Sequence, residues 1–580
     1  MRVFLDLKWF FLQEKKSYIT GILILLMVAF LQLIPPKVVG IVVDGIKDGT
    51  LTRSDIIRWM LLLAGTAVAM YGLRYVWRIM IFGSANRLSK LLRNKLYHHF
   101  TRMASSFFQK RRVGDLMAHA TNDLQAIQQT AGSGVLTLVD SLSTGGFVII
   151  AMAFTISWKL TLIALIPMPF MAILTSYYGT LLHKRFHKAQ EAFSSLNDKT
   201  QESVTGVKVL KTFGQEKEDI QSFKRESEDV VQKNMSVARV DSLFDPTISI
   251  IVGLSFFLSV VFGSRFVLSG ELTIGELISF TTYLGLLIWP MLAFGWLFNI
   301  VERGRASYDR VSRLLGEEVE IADGTVREQP KGDIEFNIES FAFPGEEHPA
   351  LKDIHFTLAN GQTLGVVGKT GSGKTSLLKL LLREFEGYSG EVHFAGLPIT
   401  AYTLDSLRQS IGYVPQDHFL FSATIKENIA FTDPLSSMEK VKRAAESAQI
   451  HHDIEGFSQG YDTVVGERGV SLSGGQKQRI SIARALLMEP ELLILDDSLS
   501  AVDAKTEEAI LTSLRKEREG KTTIITSHRL SAIVHADLIL VMDGGAVIQR
   551  GRHEELMMED GWYKEMYLRQ QLEDIVEYGG

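Results

Sequence analysis

The chain has 580 residues, 46% of them hydrophobic, with no cysteine and a formal net charge of -5. Roughly 150 residues per domain would allow three or four domains, but a mean hydropathy of +0.12 excludes a wholly water-soluble enzyme of this length. The lack of cysteine excludes disulfides, thiolate zinc, iron–sulfur clusters and thiol nucleophiles, leaving the redox compartment open, and the near-balanced charge offers no basic surplus for nucleic acid, which is not expected as a partner.

About 20 apolar residues in a helix cross roughly 30 Å of hydrocarbon, and six such stretches are predicted near 17–38, 56–78, 133–158, 160–180, 246–268 and 274–301. The first follows Lys15 and Lys16 and runs on through Pro35 and Pro36 with no small-residue cleavage pattern, so it is expected to be a retained span. Connections after the first, third and fifth spans are short (Ser157-Trp158-Lys159, Ser269-Gly270-Glu271), whereas long polar segments separate spans two and three, and four and five. Both long segments are rich in Lys and Arg, among them Arg87, Lys90, Arg93 and Lys95 in the first and Lys184, Arg185, Lys188 and Lys199 in the second. The positive-inside bias puts these segments, the N-terminus and everything after the sixth span in the cytoplasm of a multi-pass bilayer protein. Apolar residues at helical spacing (Leu88, Leu91, Leu92, Leu96; Val204, Val207, Leu210, Phe213) predict helices reaching well below the membrane, either solvated or touching the soluble module.

Residues 1–314 are therefore read as a helical transmembrane domain, 315–331 as a polar, acidic linker, and 332–580 as an α/β module. In that module Gly368, Lys374 and Thr375 frame a complete P-loop, with Thr370, Gly371, Ser372 and Gly373 between them and Ser376 opening the following helix. The preceding strand ends in Gly365-Val366-Val367, the context this motif requires. Its glycines let backbone N–H groups converge on phosphate at a helix N-terminus. Lys374 is expected on the β and γ phosphates of ATP and the Thr375 hydroxyl on Mg²⁺. The apolar run Leu492 to Leu495 ends in Asp496-Asp497, so a carboxylate at a buried strand tip can help hold the magnesium.

Leu472-Ser473-Gly474-Gly475-Gln476 resembles the signature of ATP-binding cassette (ABC) transporters, and its companions follow in order. These are Gln416 after Tyr413-Val414-Pro415, Ser500-Ala501-Val502-Asp503 after the second acid, and His528 after Thr522 to Thr526. Six spans fused to one such module resemble an ABC exporter half-transporter, most like the BmrC-type subunit of bacterial heterodimeric multidrug exporters. The resemblance implies the ABC exporter fold, a place in the bacterial cytoplasmic membrane, and two cassettes closing head to tail, so that Ser473, Gly474, Gly475 and Gln476 cap ATP on another chain's P-loop. It also implies that Phe343 stacks on adenine where the family usually has tyrosine, a buried aromatic being the alternative. Gln416 would reach toward magnesium and the attacking water, and His528 toward the γ-phosphate. His451-His452-Asp453 is read as solvated surface rather than a metal cluster.

The family's general base is a glutamate where this chain has Asp497. A carboxylate drawn back by about 1 Å can cost on the order of 10²-fold in rate. This chain's own site is therefore expected to be slow, and a second, different half-transporter is expected to supply the glutamate; a homodimer is the alternative. Gly114-Asp115-Leu116 with Thr121-Asn122-Asp123-Leu124, and Glu202 to Gly206, resemble the family's two coupling regions. The expected cargo is an amphipathic small molecule such as a drug, with a lipid or a hydrophobic peptide as the alternatives, and a cassette regulator or channel is a further class to separate. Asp140 is an intramembrane acid that could pair with a cation or hydrogen-bond another helix. Trp289, Phe294 and Trp296 offer aromatic surface to cargo or to ordinary packing.

Overall fold

The computed structural model describes residues 2–466 and 472–578. The chain divides into two compact units, Met1–Phe100 with Gly114–Glu317, and Thr101–Val113 with Glu318–Gly580.

The first unit is helical. Among the described residues five helical stretches are long and apolar enough to cross a membrane: Lys15–Lys47, Arg53–Arg102, Val113–Leu165, Glu216–Leu268 and Ile274–Leu315. Only 6% of the most apolar window of Arg53–Arg102 is buried, as expected where lipid rather than protein solvates the side chains. The remaining expected span, near 160–180, is also helical but is divided into Trp158–Leu165 and Met168–Thr205. Pro167 at the division has no N–H to continue the ladder, and Pro169 enters the first turn of the second helix, where it is tolerated. The tight reversals have local causes. Ser157 is extended and its hydroxyl accepts from the Leu160 amide at 3.3 Å. Thr273 and Glu276 cap each other's backbone amides, which satisfies N–H groups that have no partner at a helix start.

Small residues set how closely the first and last spans meet. A Cβ on Gly275 would lie 2.1 Å from the Gly40 carbonyl oxygen, so only glycine allows this approach. Asp44 reinforces it by accepting from the Thr273 hydroxyl at 2.5 Å and the Gly275 amide at 2.7 Å. At the opposite end of the helices, Asp123 accepts from Ser307 Oγ at 2.8 Å and Arg310 Nε at 3.1 Å, and His119 Nδ1 lies 2.7 Å away. The helix Met168–Thr205 has 38 residues, about 57 Å at 1.5 Å per residue, so it outruns the hydrocarbon and pairs with Glu216–Asp241. Between them the short helix Val207–Thr212 leaves Val207 and Val209 exposed, with Phe213 beyond its end.

The second unit contains two sheets. The larger has the order β10-β9-β3-β8-β7-β6 (Ala546–Gly551, Leu538–Asp543, Thr363–Gly368, Thr522–Thr526, Leu492–Asp496, Ile411–Val414) and is parallel except for the edge strand β10. Both faces of its central strands are covered, which is why β7 and β8 read as unbroken buried runs rather than alternating ones. The smaller, antiparallel sheet has the order β2-β1-β4-β5 (Leu351–Leu358, Ile334–Phe341, Ser389–Phe394, Leu397–Pro398).

Two segments join this unit in ways their composition did not suggest. The polar stretch before β1 is bound down: Thr325 and Val326 amides both donate to the Ala401 carbonyl at 2.9 Å, and the buried Arg383 donates to Ala322 O at 2.7 Å. Thr101–Val113, just ahead of Gly114-Asp115-Leu116, also clusters with this unit. There Ser106 donates to Glu320, and Lys110 lies 3.8 Å from the same carboxylate. The short helix Ser105–Gln109 thus carries polar contacts to Glu320 beside its buried Phe107.

Candidate nucleotide site

The P-loop leaves the C-terminal end of β3, the side of a parallel sheet where ligands bind. Gly371 and Gly373 have φ of +81° and +101°, a region that costs other residues energy. A Cβ on Gly373 would also fall 2.9 Å from Leu351 Cδ2. Thr370 and Gly371 are exposed at the loop's apex, Ser372 is buried below them, and Ser376 is half-buried in the helix Lys374–Leu381. Lys374 turns back into the arch, its Nζ donating to Gly368 O at 2.9 Å and Lys369 O at 3.0 Å. Burial pushes its pKa down, while Asp497 and Asp496 oppose the shift. An ammonium held in the loop by neutral carbonyls retains charge to offer a phosphate, so the residues present fit a nucleoside triphosphate.

Asp496 ends β7 opposite Thr526 of β8. Its Oδ1 accepts from Thr526 Oγ1 at 2.7 Å and Thr375 Oγ1 at 3.2 Å, and its Oδ2 from the Tyr413 hydroxyl at 3.2 Å. Three hydroxyls thus orient one buried carboxylate beside the P-loop threonine, an oxygen-rich arrangement suited to a hard divalent cation. Tyr413 and Thr526 were not singled out by sequence; the available clue was that Thr526 closes β8 and Tyr413 stands one residue before the end of β6, each near a motif residue. Burial, with Asp496 adding to it, pushes the Tyr413 phenol far up, so it remains a donor.

Asp497 has a left-handed φ of +46°, which Asp tolerates better than most residues. Its amide donates to Thr526 O at 3.0 Å and Thr526 Oγ1 at 2.9 Å, and Gln416 Nε2 donates to its Oδ2 at 3.3 Å. His528 is exposed, and its carbonyl accepts from Gln570 Nε2 at 2.8 Å. Phe343 packs edge-on against Phe341 and Phe385, with both ring centroids 5.1 Å away. It also lines a cavity of about 550 Å³ with His348, Lys379 and Phe385. The ring therefore packs against the core and also borders open space.

Ser473 caps the signature helix Gly474–Leu487, its hydroxyl accepting from the Gln476 amide at 3.2 Å while Gln476 Oε1 accepts from the Ser473 amide at 3.1 Å. Ser473 and Gly474 are exposed. Among the described residues no hydrogen bond joins this turn to the P-loop. Asp453, expected on solvated surface, instead accepts from Gln476 Nε2 at 3.1 Å and Arg479 Nη1 at 2.9 Å. His451 is half-buried with Nδ1 2.8 Å from the Tyr461 hydroxyl, and His452 alone of the three is exposed. Of the three, it is Asp453 that reaches the signature helix.

In the first unit, Asp140 Oδ1 accepts from Thr144 Oγ1 at 3.3 Å, one turn along the same helix. Trp289 and Trp296 meet edge to face at 5.5 Å and are both exposed. The Phe294 side chain lies outside the described residues.

A P-loop, an oriented strand-tip carboxylate and a capped signature turn on one α/β unit, preceded by a bundle of membrane-length helices, define an ATPase coupled to membrane transport. The ABC transporter transmembrane region matches residues 18–291, and the ABC transporter cassette family matches 351–500. The chain is 49% identical to the multidrug resistance-like ATP-binding protein MdlA of Escherichia coli (strain K12), over 100% of this chain and 98% of that one. It is 48% identical to the "Probable multidrug resistance ABC transporter ATP-binding/permease protein YheI" of Bacillus subtilis (strain 168), over 99% and 98%. A bacterial Atm1-family ABC exporter solved with ATP bound superposes with a TM-score of 0.79 at 25% identity, over 96% of this chain and 99% of that one. The chain belongs to the ABC transporter family and has the ABC exporter fold, with its helices in the cytoplasmic membrane and its cassette in the cytoplasm.

Proposed function

We propose that the chain is one half of a dimeric multidrug exporter, of the BmrC type, that pairs with a different half-transporter and moves amphipathic small molecules out of the cell. Residues 1–314 would form its membrane domain and 332–580 its cassette. The observation that carries the pairing is Asp497, the shorter acid at the position of the general base. It stands in a site whose other parts, Lys374, Thr375, Gln416, Asp496 and His528, are those the family uses.

In this reading ATP binds the P-loop of this chain through Lys374 and the loop amides, while Phe343 offers a π-face to the base. Thr375 and Asp496 would hold Mg²⁺, with Gln416 near it; the ion would neutralise phosphate charge. The exposed Ser473 still has its O–H hydrogen to give, because its oxygen acts as acceptor in the cap, and it would donate across the dimer to the partner's nucleotide. The partner's signature would do the same here. The exposed Val207, Val209 and Phe213 would dock on the partner's cassette, so closure over ATP turns the helices outward. The exposed Trp289 and Trp296 suit flat lipophilic cargo, and Asp140, whose carboxylate accepts from a hydroxyl on its own helix, would face a cationic one.

Native mass spectrometry of the chain drawn gently from its source membrane tests the pairing: a one-to-one complex with a second half-transporter is expected, and a complex of two copies would overturn it. ATP-dependent uphill movement of a cationic dye in proteoliposomes tests the export, and stimulation of ATPase by lipid headgroup type alone would count against the drug assignment.

A further inference from the structure

Arg529 follows His528 directly and is turned away from the nucleotide site. Its Nη1 donates to Val502 O at 3.1 Å and to the buried Glu507 carboxylate at 2.7 Å. Behind it the loop is clamped by the C-terminal helix Trp562–Tyr578: Gln570 Nε2 donates to His528 O at 2.8 Å, and Gln570 Oε1 accepts from the Leu530 amide at 2.8 Å. Val502 lies in the segment that leaves Asp497, and that segment is fastened to the signature helix. The Ala501 amide donates to the buried Gln478 Oε1 at 3.1 Å, Ser500 Oγ donates to Asp497 O at 3.0 Å, and a Cβ on Gly475 would lie 3.0 Å from Ala501 O. A chain of short polar contacts therefore runs from the His528 loop to the helix that opens with Ser473. Every link but the Glu507 pair ends on a backbone group, so a shift of one end is passed to the main chain at the other.

We propose that Arg529 is a positioning residue that transmits the state of this chain's ATP site to its signature turn, and so to the partner's ATP site, with Gln570 holding the near end of the route. The proposal rests on the reading of His528 and Ser473 given above. One terminal nitrogen of Arg529 ties the Val502 carbonyl to the Glu507 carboxylate, and a lysine ammonium, one bond nearer the backbone, would not reach both acceptors from the same place. In an asymmetric pair the slow site would act through this route by setting how well the signature closes over the fast one.

Coupling of this kind is measured only by a double-mutant cycle. In the assembled transporter, ATPase kcat is compared for the unaltered complex, Lys374→Ala, Arg529→Lys, and both together, with azido-ATP labelling of this chain as the readout of its own site. Lys374→Ala is expected to abolish the labelling and to lower kcat by roughly 10-fold or more, within the usual range of coupling between sites. In the Arg529→Lys background that factor is expected to shrink to about threefold or less. Gln570→Ala, which leaves the Glu507 pair intact, is expected to shrink it in the same direction. A residue that only props up the fold would lower kcat and thermal stability equally in both backgrounds and leave the factor unchanged. Equal factors with labelling lost would overturn the proposal alone; undiminished labelling in Lys374→Ala would overturn the nucleotide-site reading and the proposal with it.

Discussion

Gln416 and Asp497, from the ends of neighbouring strands β6 and β7, meet side chain to side chain at 3.3 Å. The residue expected to reach toward magnesium and the attacking water thus holds the carboxylate proposed as the weak base. Asp497 is also fixed from behind by two bonds from its amide to Thr526, so its short arm cannot compensate by backbone drift. Asp497→Glu is expected to raise hydrolysis at this chain's site by on the order of 10- to 100-fold. The measurement is the ATPase rate of a complex whose partner acid has been changed to glutamine. No increase would mean that arm length is not what slows the site.

Lys374 is buried among carbonyls, and burial disfavours its charged form. Its removal should therefore cost the unliganded cassette little stability. ATP at about 100 times its Kd should stabilise the unaltered chain by roughly 2.7 kcal/mol, and the same ATP should leave Lys374→Ala unmoved. Thermal melting with and without ATP checks both; a melting point that collapses in Lys374→Ala without nucleotide would contradict the account of the buried ammonium.

Asp453 joins Gln476 and Arg479 beneath the signature turn. Asp453→Ala is expected to cost about 1–3 kcal/mol by leaving the mostly buried Arg479 short of an acceptor. Because Gln476 completes the cap on Ser473, ATPase of the assembled complex should fall further than azido-ATP labelling of this chain does. Equal loss of the two would identify Asp453 as a general stabiliser of the fold.

His418 lies two residues after Gln416, and burial holds its pKa below the ordinary histidine value of 6.5, with Asp417 opposing. A histidine with a depressed folded pKa binds its proton more readily in the unfolded chain. Stability is thus intact above about 6.5 and declines as pH falls toward the folded value, by at most about 1.4 kcal/mol per pH unit for one proton. The melting point of the chain should drop between pH 7 and pH 5, and His418→Gln should flatten that slope. An unchanged slope in the variant would assign the acid sensitivity to other groups.

The amino-acid sequence by itself determined that the chain spans a bilayer several times and carries an ATP-binding cassette. Twenty-residue apolar runs have few alternatives once backbone polar groups must be satisfied in lipid. The P-loop, strand-tip acids and signature encode their geometry locally, in glycines, a capping serine and a buried strand. Asp497 too was legible, because one methylene at a named position is a covalent fact. What only the tertiary structure decided were pairings between residues far apart in the chain. Tyr413 and Thr526 orient Asp496 from neighbouring strands. Asp453 supports the signature from a helix that reads as plain surface, and Thr101–Val113 joins the second unit, where Ser106 and Lys110 meet Glu320 across some 200 residues of chain. A polar side chain in isolation looks solvated; which carboxylate or carbonyl it meets depends on how the strands and helices pack, and periodicity along the chain carries no record of that.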